Sequence, residues 1–243
     1  MSVATRSEMT TDQAIEARRS VRAYTDSPVS PALVDEVIRL AFLAPSGSLA
    51  DAWSVIVVRE PERRRALAEL VISGAEEYFT GVVAPPAGTD AGTHRAWARE
   101  FAERGMGLES YRQVPVWIVG VLVPRGIRPA PDRELDRIDD LISLGFAMEN
   151  LFLAARSRGL GTVPTSFHRY CEREVRALLE LPDELEAPIL TPLGYPVEFP
   201  PGLPGPLKAF RHPPDALIRD ETWAHPRRTP PVVPTVRALL GGA

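Results

Sequence analysis

"VPVWIVGVLV", residues 114 to 123, carries no charged side chain and no alternation of polar with apolar positions. A strand with one wet face alternates, whereas a strand covered on both faces reads as a continuous apolar run. This stretch is therefore read as the central strand of a layered fold. The segment that follows, Leu135 to Arg158, has Ile138, Leu141, Ile142, Phe146, Leu151, Phe152 and Ala155 at helical spacing, with Gly159 as a C-terminal stop. Apolar residues cover so much of its circumference that deep burial is expected.

Other elements extend outward from this pair. A short helix is expected over 12 to 18. A second opens at Ser30-Pro31, a cap followed by a first-turn proline, and ends near Pro45. "SVIVV" (54 to 58) reads as a buried strand and 61 to 73 as a helix starting at Pro61. Residues 80 to 94 have the Gly, Pro and Thr content of a loop, with a helix after it in "HRAWAREFAER". A helix at 172 to 180 and a strand within "APILTPLGYP" (187 to 196) complete the pattern. Helices and strands alternate, which suits an α/β or α+β sandwich. Beyond Pro196 the chain is rich in Pro and Gly and too short of periodic apolar residues for a second core. Residues 1 to 196 are read as one domain, and 197 to 243 as an extension that wraps another subunit.

Twenty-eight basic residues stand against 32 acidic ones, a formal charge of −4, so a nucleic-acid surface is not expected. The N-terminal residues lack the apolar core of a signal peptide, and no run approaches a membrane span, which points to the cytoplasm. The one cysteine, Cys171, and four scattered histidines offer no metal-binding spacing.

Against that acidic background "ARRSVRAY" (17 to 24) stands out. A chain leaving a helix can aim Arg18, Ser20 and Arg22 at one point, and guanidinium groups form paired hydrogen bonds with phosphate oxygens. The competing reading is a solvated charged face pairing with Glu16 and Asp26, which spacing alone favours. "GLGTVPTS" (159 to 166) suits a backbone close to a ligand, yet lacks the dinucleotide fingerprint and reads equally as a helix stop and turn. Lys208 and Arg211 are, by themselves, ordinary surface charge. Ser46 lacks a nucleophile elbow, and His168 with Cys171, three apart, would be a nucleophile and its base only if the fold brought the two side chains together.

In combination, "RRSVRAY", "APSGSLADAW", "DLISLGFAMENLFLAARSRGLGT", "LLELPDELEAPILTPLGYP" and "KAFR" resemble, in order, the FMN-dependent nitroreductase family. The resemblance implies an α+β, three-layer α/β/α sandwich with a mostly antiparallel sheet, assembled as an intertwined homodimer with FMN at the subunit interface. It implies that Arg18, Ser20, Lys208 and Arg211 meet the 5′-phosphate, with Arg19 between them on backbone or ribityl contacts. Arg22 matches the cation near the pyrimidine edge of the flavin, where it would stabilise charge on N1 and O2. Pro164, Thr165 and Ser166 match the segment with a backbone N–H against N5, and Pro45, Ser46, Gly47 and Ser48 match the loop given by the partner chain. Where relatives read P-S-x-x-N-x-Q-P-W, this chain has Leu49, Asp51 and Ala52, so two amide contacts are missing.

The activity implied is NADH- or NADPH-dependent reduction of a small organic acceptor, a nitroaromatic or quinone, by a ping-pong cycle without a protein acid or base. The altered 49 to 52 loop leaves room for a specialised FMN enzyme that cleaves flavin, removes halogen or oxidises a heterocycle, or for a flavin-storage protein.

Overall fold

The structure, a computed structural model, describes residues 9–47, 51–85, 87–124, 133–203, 208 and 210–234. The helices are α1 (Thr11–Ala17), α2 (Pro31–Ala41), α3 (Pro61–Val82), α4 (Ala91–Glu100), α5 (Arg133–Ser157) and α6 (Glu172–Leu179). The strands are β1 (Trp53–Val58), β2 (Val116–Leu122), β3 (Gly161–Thr162) and β4 (Glu186–Gly194). Among the described residues they form a four-stranded sheet in the order β1-β2-β4-β3, with every neighbouring pair antiparallel.

Every residue of β2 is buried, as its composition requires. Its side chains alternate between two cores. Trp117, Val119 and Val121 join Leu67, Val71, Ile72 and Phe79 of α3, while Val116, Ile118 and Leu122 join Val34 and Val37 of α2 and Leu144 and Leu151 of α5. A period of two in the strand thus builds three layers, helix on sheet on helix.

Capping follows the local sequence. Ser30 accepts a hydrogen bond from Leu33 N with Pro31 at the first turn, and Glu60 caps α3 in the same way ahead of Pro61. Gly159, at φ 75°, stops α5, as its position suggests, and Leu160 N–H closes onto Ala155 O at 2.9 Å.

Two expectations are corrected. Helix α3 continues to Val82, because Ala75 and Phe79 prolong its buried face, so only residues 83 to 90 connect it to α4. Helix α5 is not buried all round: Leu144, Ala147, Met148, Leu151 and Ala155 face the core, but Leu135, Ile138, Ile142 and Phe146 are 43 to 53% exposed. Those four follow a helical stripe that nothing within this chain covers among the described residues.

After α4 the chain returns to β2 through short turns at 101–105 and 108–113. An ion-pair network holds this return against α3: Arg99 reaches Glu69 at 2.8 Å and Glu103 at 3.0 Å, and Arg112 grips the same two carboxylates. The hydrogen bonds from Arg112 lower the pKa values of Glu69 and Glu103, outweighing the opposite effect of burial, so both carboxylates stay ionised.

The segment 20–25 is stitched into this frame as an extra edge. Ser20 bridges Thr162 in parallel, Val21 N–H donates to Thr162 O at 3.0 Å, and Thr25 N–H donates to Tyr195 O at 2.9 Å. Val21 and Tyr24 are buried completely enough to anchor it. Val21 lies where Gly161 has no side chain, since a Cβ there would come within 2.8 Å of Val21 Cγ1. The glycine after the helix stop thus serves packing between segments. Gly161→Ala should lower stability by about 1–3 kcal/mol through overpacking. Combined with Val21→Ala it should lose less than the sum of the single changes, read from urea midpoints.

Candidate functional site

The stitched edge decides which way its side chains point. With Val21 and Tyr24 buried, Ser20, bridged to Thr162, and Arg22, beside Gly107 of the return segment, are half-buried. Backbone groups of the edge are held from several directions. Tyr24 Oη donates to Val21 O at 2.8 Å, Gln113 Nε2 donates to Tyr24 O at 2.8 Å, and Ser110 Oγ donates to Arg22 O at 2.5 Å. The return segment pinned by Glu69 and Glu103 therefore fixes the backbone beneath Arg22. Burial raises the pKa of the Tyr24 and Tyr111 phenols, and the Arg22 charge opposes that rise in both.

Arg18 leaves α1 as its C-terminal cap and lies 3.4 Å from Glu149 of α5 through Nε. Burial raises the Glu149 pKa, with Arg18 acting against it. Both side chains are part-exposed and the pair is long, so it contributes little to stability. Arg19 donates through Nη1 to Glu16 O at 2.6 Å and Arg18 O at 2.8 Å, capping the end of α1. Its Nε is buried with no hydrogen-bond partner among the described residues. A buried guanidinium N–H left this way is a donor in want of an acceptor.

Residues 164–166 lie one residue beyond β3, after Val163, so Ser20 and this segment are joined through Thr162. Pro164 has no N–H. Thr165 is buried and exchanges both backbone hydrogen bonds with Leu190, at 2.9 and 3.1 Å. That leaves exposed Ser166 as the residue in this segment with an N–H and a hydroxyl to offer a ligand. The short strand β3 was not legible in the sequence, because two residues carry no periodicity.

Of the 45–48 loop, Pro45 and Gly47 are exposed and Ser46 is half-buried; Ser48 lies outside the described residues, as do Leu49 and Ala50. Gly47 N–H donates to Ser143 Oγ of α5 at 3.1 Å, and Asp51 N–H donates to Ser46 Oγ at 3.0 Å. Asp51 is exposed and takes a left-handed backbone conformation, φ 45°. Lys208 and Arg211 are exposed and sit on one turn, Arg211 N–H reaching Lys208 O at 3.0 Å. Upstream of them the tail crosses the arginine segment. The Arg156 guanidinium stacks 3.7 Å from the Phe199 ring centroid, and a Cβ on Gly202 would lie 3.8 Å from Arg19 Nε.

The structure therefore brings 18–22, 162–166 and the start of the tail together, and attaches the 45–47 loop to α5. Sequence reading missed Glu149, Arg156 and Ser110, whereas Thr162 lies in the 159–166 stretch it singled out. Only the i, i+7 spacing of Glu149 and Arg156 on one helix face hinted at a shared role. His168 and Cys171 do not form an activated pair: His168 Nε2 bonds Ala187 O at 2.7 Å, and burial raises the Cys171 thiol.

The family model described as Nitroreductase family matches residues 15–195. The NADH dehydrogenase of Thermus thermophilus is 30% identical over 183 residues, 74% of this chain and 84% of that protein. The 4-nitrobenzoate reductase of Pseudomonas putida is 29% identical over 194 residues, 76% of this chain and 84% of that protein. Iodotyrosine deiodinase 1 of Rattus norvegicus is 27% identical over 75% of this chain, which spans only 60% of that relative's length. Among solved structures, nitroreductase A from Vibrio parahaemolyticus superposes with a TM-score of 0.65 at 20% identity, covering 88% of this chain and 78% of that one. The NADPH:FMN oxidoreductase from Vibrio harveyi, complexed with NAD+, gives 0.64 at 21%, covering 88% and 77%. Both share the fold.

His168 also sets a pH dependence. Its pKa is lowered from 6.5, chiefly by burial, against the opposing Ala187 hydrogen bond, and its Nδ1 is buried without a partner among the described residues. The unfolded chain thus binds the proton more readily, so this stability is present above about pH 6.5 and is lost as pH falls through the folded value. The urea midpoint should drop between about pH 7.5 and pH 5, and His168→Gln should flatten that change.

Proposed function

The chain belongs to the nitroreductase family, and on that premise we propose that it is a homodimeric FMN enzyme that oxidises NADH or NADPH and reduces a small organic acceptor. The observation that carries this reading is the Ser20–Thr162 junction, which joins an arginine-rich segment to the segment ending at Ser166. A flavin mononucleotide needs an anion site at one end and a donor at N5 near the other.

The donor set fits such a group. Arg19 Nε is a buried N–H lacking an acceptor among the described residues, and Arg18 makes a long contact to its carboxylate. Arg18, Arg19 and Ser20, with Lys208 and Arg211 from the tail, would hold the phosphate by charge-assisted hydrogen bonds. Arg22, its backbone held by Ser110, would place positive charge at the pyrimidine edge. Ser166 would offer its N–H at N5. When bound, the flavin supplies the hydride and electron chemistry. The chain orients it, biases its charge and shields it, and no protein acid or base is required.

The second subunit would cover the exposed stripe Leu135, Ile138, Ile142 and Phe146 and give Pro45, Ser46, Gly47 and Ser48 to the site. Burying an apolar face of this kind is favoured by about 25 cal/mol per Å². Ile142→Asp should yield monomers in sedimentation, with weaker flavin binding.

A second reading, a specialised FMN enzyme acting on a halogenated or similar aromatic, is favoured by the deiodinases among the relatives at 24 to 27% identity and by Leu49, Asp51 and Ala52 in place of the usual amides and proline.

Spectroscopy separates the readings. Purified protein should be yellow, and NADH or NADPH should bleach it anaerobically. A yellow protein that neither nicotinamide bleaches favours the specialised enzyme, whereas a colourless protein that takes up no FMN overturns both. Arg18→Ala should weaken FMN binding by about 1.5–3 kcal/mol, the worth of a hydrogen bond to a charged group, and riboflavin binding far less.

A further inference from the structure

Arg156 occupies the last turn of α5 and touches two segments far apart in the chain. Its Nε donates to Ala17 O at 3.0 Å, immediately before the arginine cluster, and its guanidinium plane lies over Phe199, at the start of the tail. Guanidinium suits both tasks at once, because its edge donates hydrogen bonds while its face stacks on an aromatic ring. Burial and the neighbouring Arg19 charge both work against the cation, which lowers its pKa. Two guanidinium groups are thus held side by side, bonded to backbone carbonyls and, for Arg156, stacked on a ring.

Between Phe199 and Lys208 the sequence has proline at 200, 201, 204 and 206 and glycine at 202 and 205. Anchoring the chain at Phe199 leaves Lys208 and Arg211 on a short tether, which keeps both cations at high effective concentration near the arginine segment.

We propose that Arg156 is a positioning residue, clamping the tail to the arginine segment through Phe199 so that Lys208 and Arg211 are delivered to the phosphate that Arg18 binds. The proposal rests on the FMN reading above. It gives Arg156 a role in cofactor selectivity, in addition to its cap on α1.

The test uses full-length apo-protein titrated with FMN and with riboflavin, which lacks the phosphate, followed by flavin fluorescence. Phe199→Ala removes the stacked ring and leaves the bond to Ala17 intact; Arg156→Lys keeps the charge and removes the plane. Each should raise the FMN Kd about ten-fold or more, the scale of one charge-assisted contact, and leave riboflavin within about two-fold. Both should also speed proteolytic cleavage of the tail. Added to Phe199→Ala, Lys208→Ala should weaken FMN almost no further, since an unclamped tail no longer delivers Lys208. An unchanged FMN Kd in Phe199→Ala, equal weakening of FMN and riboflavin, or full additivity with Lys208→Ala would overturn the clamp. If Arg18→Ala still weakens FMN selectively in those cases, only the clamp falls. If wild-type protein binds FMN and riboflavin alike, the phosphate reading falls and takes the clamp with it.

Discussion

Val21 must fit into the space that Gly161 leaves open, and the site depends on that contact. It seats the segment 20–25 against Thr162 and Tyr195, so the residues between the buried anchors Val21 and Tyr24 have no freedom to rotate the whole strand. With Val21 seated there, its neighbours Ser20 and Arg22 are left half-buried. An apolar contact thus holds the arginine segment in place. Reversing the register by one residue would bury charge and expose Val21, which is why this edge is strongly specified.

Electrostatics at the rim is arranged differently from the surface elsewhere. Around α3 the cations meet carboxylates: Arg99 and Arg112 share Glu69 and Glu103. Around the end of α1, Arg19 and Arg156 meet carbonyls, Arg19 on Glu16 O and Arg18 O and Arg156 on Ala17 O, while Arg18 lies 3.4 Å from Glu149. A helix C-terminus is partially negative and attracts cations without neutralising them. That difference leaves net positive charge in one place on a chain with more acids than bases. An anion bound there would gain from Arg19 and Arg156 without first separating them from carboxylates.

Helix α5 links these features. One face builds the core with α2 and the sheet, its Ser143 holds the 45–47 loop, and its Glu149 and Arg156 hold the arginine segment. The remaining stripe, from Leu135 to Phe146, is apolar and exposed. A long helix with apolar residues on two faces can pack on both, and the described residues cover one of them.

Much of this was legible in the sequence. β2 declared itself because an unbroken apolar run bounded by turn residues suits a strand covered on both faces and little else, and Ser30-Pro31, Pro61 and Gly159 marked helix ends because caps act through their nearest neighbours. The ordered motifs carried the family, and the three layers followed. β3 stayed hidden, since a two-residue strand exists only through its partners. The stripe on α5 could not be told from its buried face, because both are apolar and only packing distinguishes them. Within the 164–166 segment, sequence named three residues, whereas the Thr165–Leu190 exchange left Ser166 with a donor to offer. Composition and local spacing determined which elements form, since those depend on residues a few positions apart. Whether Arg18 and Arg156 meet a carboxylate or a carbonyl, and where the tail crosses, were decided by tertiary structure alone, because Arg18 pairs with Glu149 and Arg156 with Ala17 across most of the chain and such pairing leaves no periodic trace.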